Sequence, residues 1–130
     1  FDIRAPKQFV KQVGSEMASI LPKGARVMVL DPLANGFYAK LMRYQLYGVA
    51  TLSRDISLFH PKKLDYVRKY IEDSNSTHMW VHTQSKDVVE VLGVPLKERN
   101  AHLLEKQGAG WRLIKSWPYP GYNNPNDIPD

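Results

Sequence analysis

Four ionisable residues stand where apolar segments of this 130-residue chain end: Asp31, Arg54, Asp55 and His82. An aspartate and a histidine that meet can act as acid and base, and an arginine can hold a phosphate or a carboxylate. Parallel strands would bring these residues to one edge of a sheet, where ligands of α/β proteins usually bind. A second interpretation stays open, because Asp31 before Pro32 suits a turn or a helix cap, and Arg54 and Asp55 suit a solvated loop.

Helical patterns separate the three apolar segments, which predicts an α/β fold. The predicted helices are Pro6–Leu21, Phe37–Tyr47, one opened by Pro61, and Lys86–Leu92; the predicted parallel strands are Ala25–Leu30, Val49–Ser53 and Met79–His82. Ala101–Lys106 and Trp111–Trp117 flank a glycine-containing turn, which favours an antiparallel β-hairpin. We expect one domain over residues 1–130, a small Rossmann-like three-layer sandwich with a leading helix in 1–21 and an extended, proline-rich tail in 118–130.

Composition narrows the class of protein without naming a ligand. Hydrophobic residues make up 43% and charged residues 24% of the chain, values typical of a globular domain. The absence of cysteine excludes disulfides and cysteine-ligated zinc. No apolar run has membrane-spanning length, so we expect this stretch to be soluble. The net charge of +5 would suit an anionic partner, but the basic residues are spread along the chain, and we expect no nucleic acid partner.

Two further candidate binding residues stand near predicted helix starts. Asn35 lies in the segment Asp31–Gly36, where a nucleotide-binding fold would have its phosphate-binding turn; the segment has a single glycine and matches neither phosphate-binding motif. Ser85 is a predicted N-cap for the helix that follows it. A helix N-terminus favours an anion, so both residues count as candidates. The histidines lack motif-like spacing with carboxylates, and we expect neither a metal nor a cofactor.

An aromatic series closes the sequence: Trp111, Trp117, Tyr119 and Tyr122. Aromatic residues beside proline can form a platform for a sugar or an extended peptide, or they can cover a small core. We favour a cover over the core, because a hairpin on a small sheet needs large side chains. Tyr119 and Tyr122 are the members expected to stay partly exposed, and they are the candidate binding residues of the tail.

Four ordered segments carry a resemblance to a known family. The segments Leu21–Pro32, Tyr44–Gly48, Met79–His82 and Gly110–Tyr122 resemble a soluble domain of polytopic membrane glycosyltransferases similar to the dolichyl-phosphate-mannose protein transferases. The resemblance implies a domain on the extracytoplasmic (periplasmic) side that follows the last membrane helix of a larger membrane protein. It transfers no catalytic residue, since no position here matches the catalytic acid of that family.

The resemblance implies an accessory, non-catalytic role beside the membrane-embedded remainder of the same protein, where the domain would assist recognition of the acceptor or of a lipid-linked sugar. We expect no activity in this fragment alone, although the parent protein would be a glycosyltransferase. Two alternatives stay open from the residues themselves. One is a small nucleotide- or sugar-phosphate-binding enzyme that uses Asp31, Asp55 and His82. The other is a protein-interaction module that uses the aromatic tail.

Overall fold

The computed structural model describes residues 4–30, 42–52, 64–83, 92–97 and 100–118. Its elements are helix α1 (Arg4–Ile20), strand β1 (Ala25–Leu30), strand β2 (Ala50–Leu52), helix α2 (Leu64–Asp73) and strands β3 (His78–Thr83), β4 (Asn100–Gln107) and β5 (Gly110–Pro118). Residues 42–45 form a further helical turn. The α/β class is confirmed as a mixed five-stranded sheet with helices on both faces. No helix within these ranges is both long and apolar enough to cross a bilayer.

Helix α1 forms where the sequence predicts it, and its two ends differ from the predicted ends by one or two residues. It begins two residues before Pro6 and ends one residue before Leu21. Leu21 is buried, whereas Ile20, which follows the buried Met17 at helical spacing, is 37% exposed. Gly24 then takes a φ of +83°, a left-handed conformation that glycine adopts without steric cost, and it lets the chain turn directly into β1.

The sheet has the order β2-β1-β3-β4-β5. Strand β1 lies inside the sheet and pairs in parallel with β2 on one side and with β3 on the other, as the sequence predicts for all three strands. β3 then pairs antiparallel with β4, and β4 with β5. The last two strands are joined by Gly108 and Ala109, and Gly108 has a φ of +59°.

Each face of the sheet carries its own hydrophobic core. The α1 face packs α1 and the 42–46 turn against Ala25, Val27, Val29, Trp80, Ala101, Leu103 and Trp117. The α2 face packs Ile71 and the 92–96 segment against Met28, Met79, Val81 and Leu104. Alternate residues of β1 and β3 therefore supply opposite cores, as expected for strands that are covered on both sides.

A β-bulge interrupts β5. Leu103 pairs with Lys115 and Leu104 pairs with Leu113, so Ile114 is the extra residue. Residues before it, including Trp111 and Leu113, pack on the α2 face, whereas Trp117 packs on the α1 face. The bulge thus lets one strand contribute large side chains to both cores.

Candidate functional site

The carboxyl ends of the three parallel strands form the candidate site. β1 lies between β2 and β3, so the chain leaves β1 toward one side and later crosses to its other side. This reversal is a topological switch point, and open α/β sheets bind their ligands in the crevice beyond it. The strand ends at this edge are Leu30, Leu52 and Thr83.

The structure places the three parallel strands beside one another, but their ends are staggered: β2 ends opposite Val27, three residues before β1 ends at Leu30, and β3 continues two residues beyond its pairing with Leu30. His82 is the next-to-last residue of β3, and its backbone is in register with Ala101. Asp31 follows β1 directly in the chain, and Arg54 comes two residues after β2. Asp31 and Arg54 lie outside the described residues. The remaining candidates also lie outside them: Asn35, Asp55, Ser85, Tyr119 and Tyr122.

A buried histidine near this edge is a feature that the sequence analysis did not select. His102 has no exposed surface and pairs with Val81 of β3. Its Nε2 lies 2.9 Å from the carbonyl oxygen of Lys97, and its Nδ1 lies 2.6 Å from the hydroxyl oxygen of Ser116. Because a carbonyl can only accept, Nε2 carries the proton in the neutral ring and Nδ1 accepts the Ser116 hydroxyl.

The environment of His102 favours this neutral state. Burial lowers the pKa of the imidazole, and the hydrogen bond with the Lys97 carbonyl opposes that shift only in part. Ser116 and His102 have the atoms of a nucleophile and its base, but no substrate can reach an imidazole that has no exposed surface. His102 therefore acts as a structural link that ties the 92–97 segment to β4 and β5.

A second polar cluster joins α1 to β5 on the α1 face. Glu16 accepts one hydrogen bond from Lys115 Nζ and another from Trp117 Nε1, each 2.6 Å long. The bond from Lys115 is the main cause that lowers the pKa of Glu16, and the bond from Trp117 adds to it. Lys115 Nζ also lies 5.6 Å from the centroid of the Trp117 ring. This Glu16 cluster holds the last described strand against the first helix.

Trp117 belongs to the core, as the cover interpretation of the aromatic series predicts. Its side chain is 5% exposed, and its ring centroid lies 5.8 Å from that of Trp80 at an interplanar angle of 46°. Such tilted packing is a preferred geometry for aromatic pairs. Any recognition by the tail must therefore use residues beyond Pro118, which lie outside the described residues.

The opposite edge of the sheet, where β3 begins, carries a row of ionisable residues. Glu105 lies between its cross-strand neighbours, with an oxygen 3.0 Å from Arg112 Nη2 and another 3.9 Å from His78 Nε2. Burial lowers the pKa of His78, and the Glu105 carboxylate opposes that shift. A cavity of about 360 Å³ beside Tyr70 and Ser74 also lies toward this edge, because Ser74 leads into β3. Neither feature adjoins the switch point.

The described side chains hold no cluster of three or more His, Asp or Glu residues that could ligate a metal. Comparison of the chain with protein families, with curated proteins and with solved structures finds no match.

Proposed function

We propose that this chain is a non-catalytic accessory domain of a membrane glycosyltransferase-like protein, placed on its extracytoplasmic (periplasmic) side, where it assists recognition of the acceptor or of a lipid-linked sugar. The observation that supports a recognition role is the switch point, where the chain leaves β1 first toward β2 on one side and later toward β3 on the other. The buried His102 near this edge has a structural role in the proposal, since both of its ring nitrogens are engaged. Partners of the domain are then the membrane-embedded remainder of the protein and its glycan substrates.

The finer form of the fold belongs to the same proposal. The order β2-β1-β3 around a central parallel strand, with helices packed on both faces, fits a small Rossmann-like three-layer sandwich. The antiparallel β4 and β5 would be its C-terminal hairpin. In this form the fold offers a crevice at the carboxyl ends of its parallel strands.

The segments behind the family resemblance lie mostly on the sheet. They include β1, the turn at residues 44–48, the centre of β3, and β5. The resemblance therefore concerns the framework of the domain and not a catalytic loop, which agrees with an accessory role.

The proposal is tested by sugar transfer in membranes that contain the full-length parent protein. We expect Asp31→Ala and His82→Ala to raise the KM for the lipid-linked donor or for the acceptor while kcat stays near its original value. Lys69→Ala, an exposed position on α2, serves as the control and leaves both constants unchanged. A collapse of kcat at unchanged KM would contradict the accessory role and would place chemistry at this edge.

A small nucleotide- or sugar-phosphate-binding enzyme is the second candidate, because switch points bind such ligands in other α/β proteins. This alternative is tested by comparing the thermal unfolding midpoint of the 130-residue chain with and without nucleotides or sugar phosphates. A shift that disappears in Asp31→Ala and His82→Ala would favour the enzyme. The third candidate, a tail-mediated interaction module, is tested by a truncation after Pro118, which leaves Trp117 in the core.

A further inference from the structure

Two tyrosines stand almost wholly in solvent beside a groove on the α1 face. Tyr44 is 87% and Tyr47 is 89% exposed. Every other aromatic side chain that the structure places is buried or half-buried: Phe9, Tyr70, Trp80, Trp111 and Trp117. The groove has a volume of about 310 Å³ and is lined by Lys7, Gln8, Val10, Lys11, Tyr44 and Gln45. We call this surface, together with Tyr47, the tyrosine–lysine face.

Packing beneath the face holds the tyrosines outward. Met42 and Leu46, one turn apart, have no exposed surface and anchor the helical turn in the core. Gln45 lies directly over Gly14 of α1, so closely that a Cβ at Gly14 would come within 2.1 Å of Gln45 Cγ. The absence of a side chain at Gly14 thus allows the turn to pack closely against the helix. Tyr44 is displayed from a fixed support.

The charges of the face are all positive among the described residues that line it. Lys7 and Lys11 are exposed and lie one turn apart on α1. Neither forms an ion pair with a carboxylate within the part of the chain that the structure describes. The only glutamate of α1, Glu16, is engaged with Lys115 and Trp117. Lys7 and Lys11 are therefore available for an anionic partner.

We propose that the tyrosine–lysine face rests on the headgroup region of an anionic phospholipid bilayer. Tyrosine suits this position, because its ring is apolar while its hydroxyl can stay hydrated, and lysines beside it attract acidic lipid headgroups. The inference rests on the proposed function, which places the domain beside a membrane. A single-stranded nucleic acid fits the face less well, since it requires a basic groove that tracks the backbone over several nucleotides.

The test is cosedimentation of the 130-residue chain with vesicles of equal parts phosphatidylglycerol and phosphatidylcholine, compared with vesicles of phosphatidylcholine alone. Binding is expected only to the anionic vesicles and is expected to weaken with salt. The double variant Lys7→Gln/Lys11→Gln should bind about 25-fold more weakly, at roughly fivefold for each lysine. Tyr44→Ser/Tyr47→Ser should also bind more weakly while it keeps the native circular dichroism spectrum.

Lys69→Gln/Lys106→Gln is the matched control, because it removes the same charge from two exposed lysines on α2 and β4. If this control binds the vesicles as weakly as Lys7→Gln/Lys11→Gln does, the net charge of the chain causes the binding, and the assignment of the binding surface to the tyrosine–lysine face is wrong. Unchanged binding by the tyrosine variant also overturns the proposal. The proposal is also overturned if the chain binds a single-stranded oligonucleotide through these tyrosines and does not bind the vesicles. Failure with vesicles while Asp31→Ala raises KM in the transfer assay rejects only the membrane contact and leaves the accessory function standing.

Discussion

Replacement of Trp117 by alanine tests whether the last described strand completes the core. The side chain is 5% exposed, packs on Trp80 and donates a hydrogen bond to Glu16. Removal of a buried tryptophan costs about 3–5 kcal/mol. A domain of this size is stable by only about 5–15 kcal/mol, so Trp117→Ala should lose about a fifth or more of its unfolding free energy. Trp117→Phe keeps a ring against Trp80 and should lose only about 1–2 kcal/mol.

The unfolding free energy is measured by urea titration followed by far-ultraviolet circular dichroism, since the substitution itself removes a fluorescent indole. Tyr44→Ala, an aromatic position that is 87% exposed, is the control and should stay within about 0.5 kcal/mol of the native value. A double-mutant cycle that combines Trp117→Leu with Trp80→Leu, each of which removes one ring of the pair, should give a coupling energy of about 1 kcal/mol. A loss below about 1 kcal/mol for Trp117→Ala would refute the assignment of this residue to the core.

Three further predictions concern other contacts. Burial lowers the pKa of His102 in the folded chain, so the unfolding free energy should be highest above the ordinary pKa of 6.5 and fall as the pH drops toward the folded pKa. In urea titrations His102→Gln should flatten this dependence on pH. An unchanged dependence would contradict the assignment of His102 as a buried neutral imidazole. Glu16 has a lowered pKa, so its contribution to the unfolding free energy should be present above pH 4.5 and disappear as the pH falls through the folded pKa. Glu16→Gln should weaken this dependence on pH. If the variant and the native chain lose stability identically in acid, the contact with Lys115 is wrong. Gly14→Ala should lower the unfolding free energy by about 1 kcal/mol net despite its better helix propensity. A second change, Gln45→Ala, should recover most of this loss, because it removes Cγ and leaves only Cβ, 3.0 Å from the new methyl group. A Gly14→Ala variant that gains stability would refute the close packing.

Local sequence signals predict the elements of the described fold well. The nearly unbroken apolar run Ala25–Leu30, which only Arg26 interrupts, has the same bounds as β1, because a strand covered on both faces needs no alternation. Pro22 and Gly24 predict the end of α1, because proline lacks the backbone N–H that a helix needs and glycine is a poor helix former. Parallel pairing also follows, since helical patterns separate the strands.

Long-range features could not be predicted in the same way. Strict alternation would put Trp111, Leu113 and Trp117 on one face, but the bulge at Ile114 separates Trp117 from the other two. The contact of Glu16 with Trp117 spans 101 positions of sequence, and no local pattern reports it.

The candidate site was predictable in part. The edge at the carboxyl ends of the parallel strands follows from the order of elements, whereas the strand order that places β1 between β2 and β3 does not. His102 lay hidden, because a histidine between Ala101 and Leu103 gives no sign of the Lys97 carbonyl and the Ser116 hydroxyl that it joins. Its apolar neighbours were the available signal that it is buried.

The bulge at Ile114 also determines where related sequences can vary in length. If Ile114 were deleted, Leu113 would remain opposite Leu104 and Lys115 opposite Leu103, so the ladder would close with every other pair unchanged. Deletion of Lys115 would instead place Ile114 opposite Leu103 and remove the ion pair with Glu16. A one-residue gap in relatives of this domain is therefore expected at position 114, where a deletion preserves both the register of the sheet and the sides on which its large residues pack.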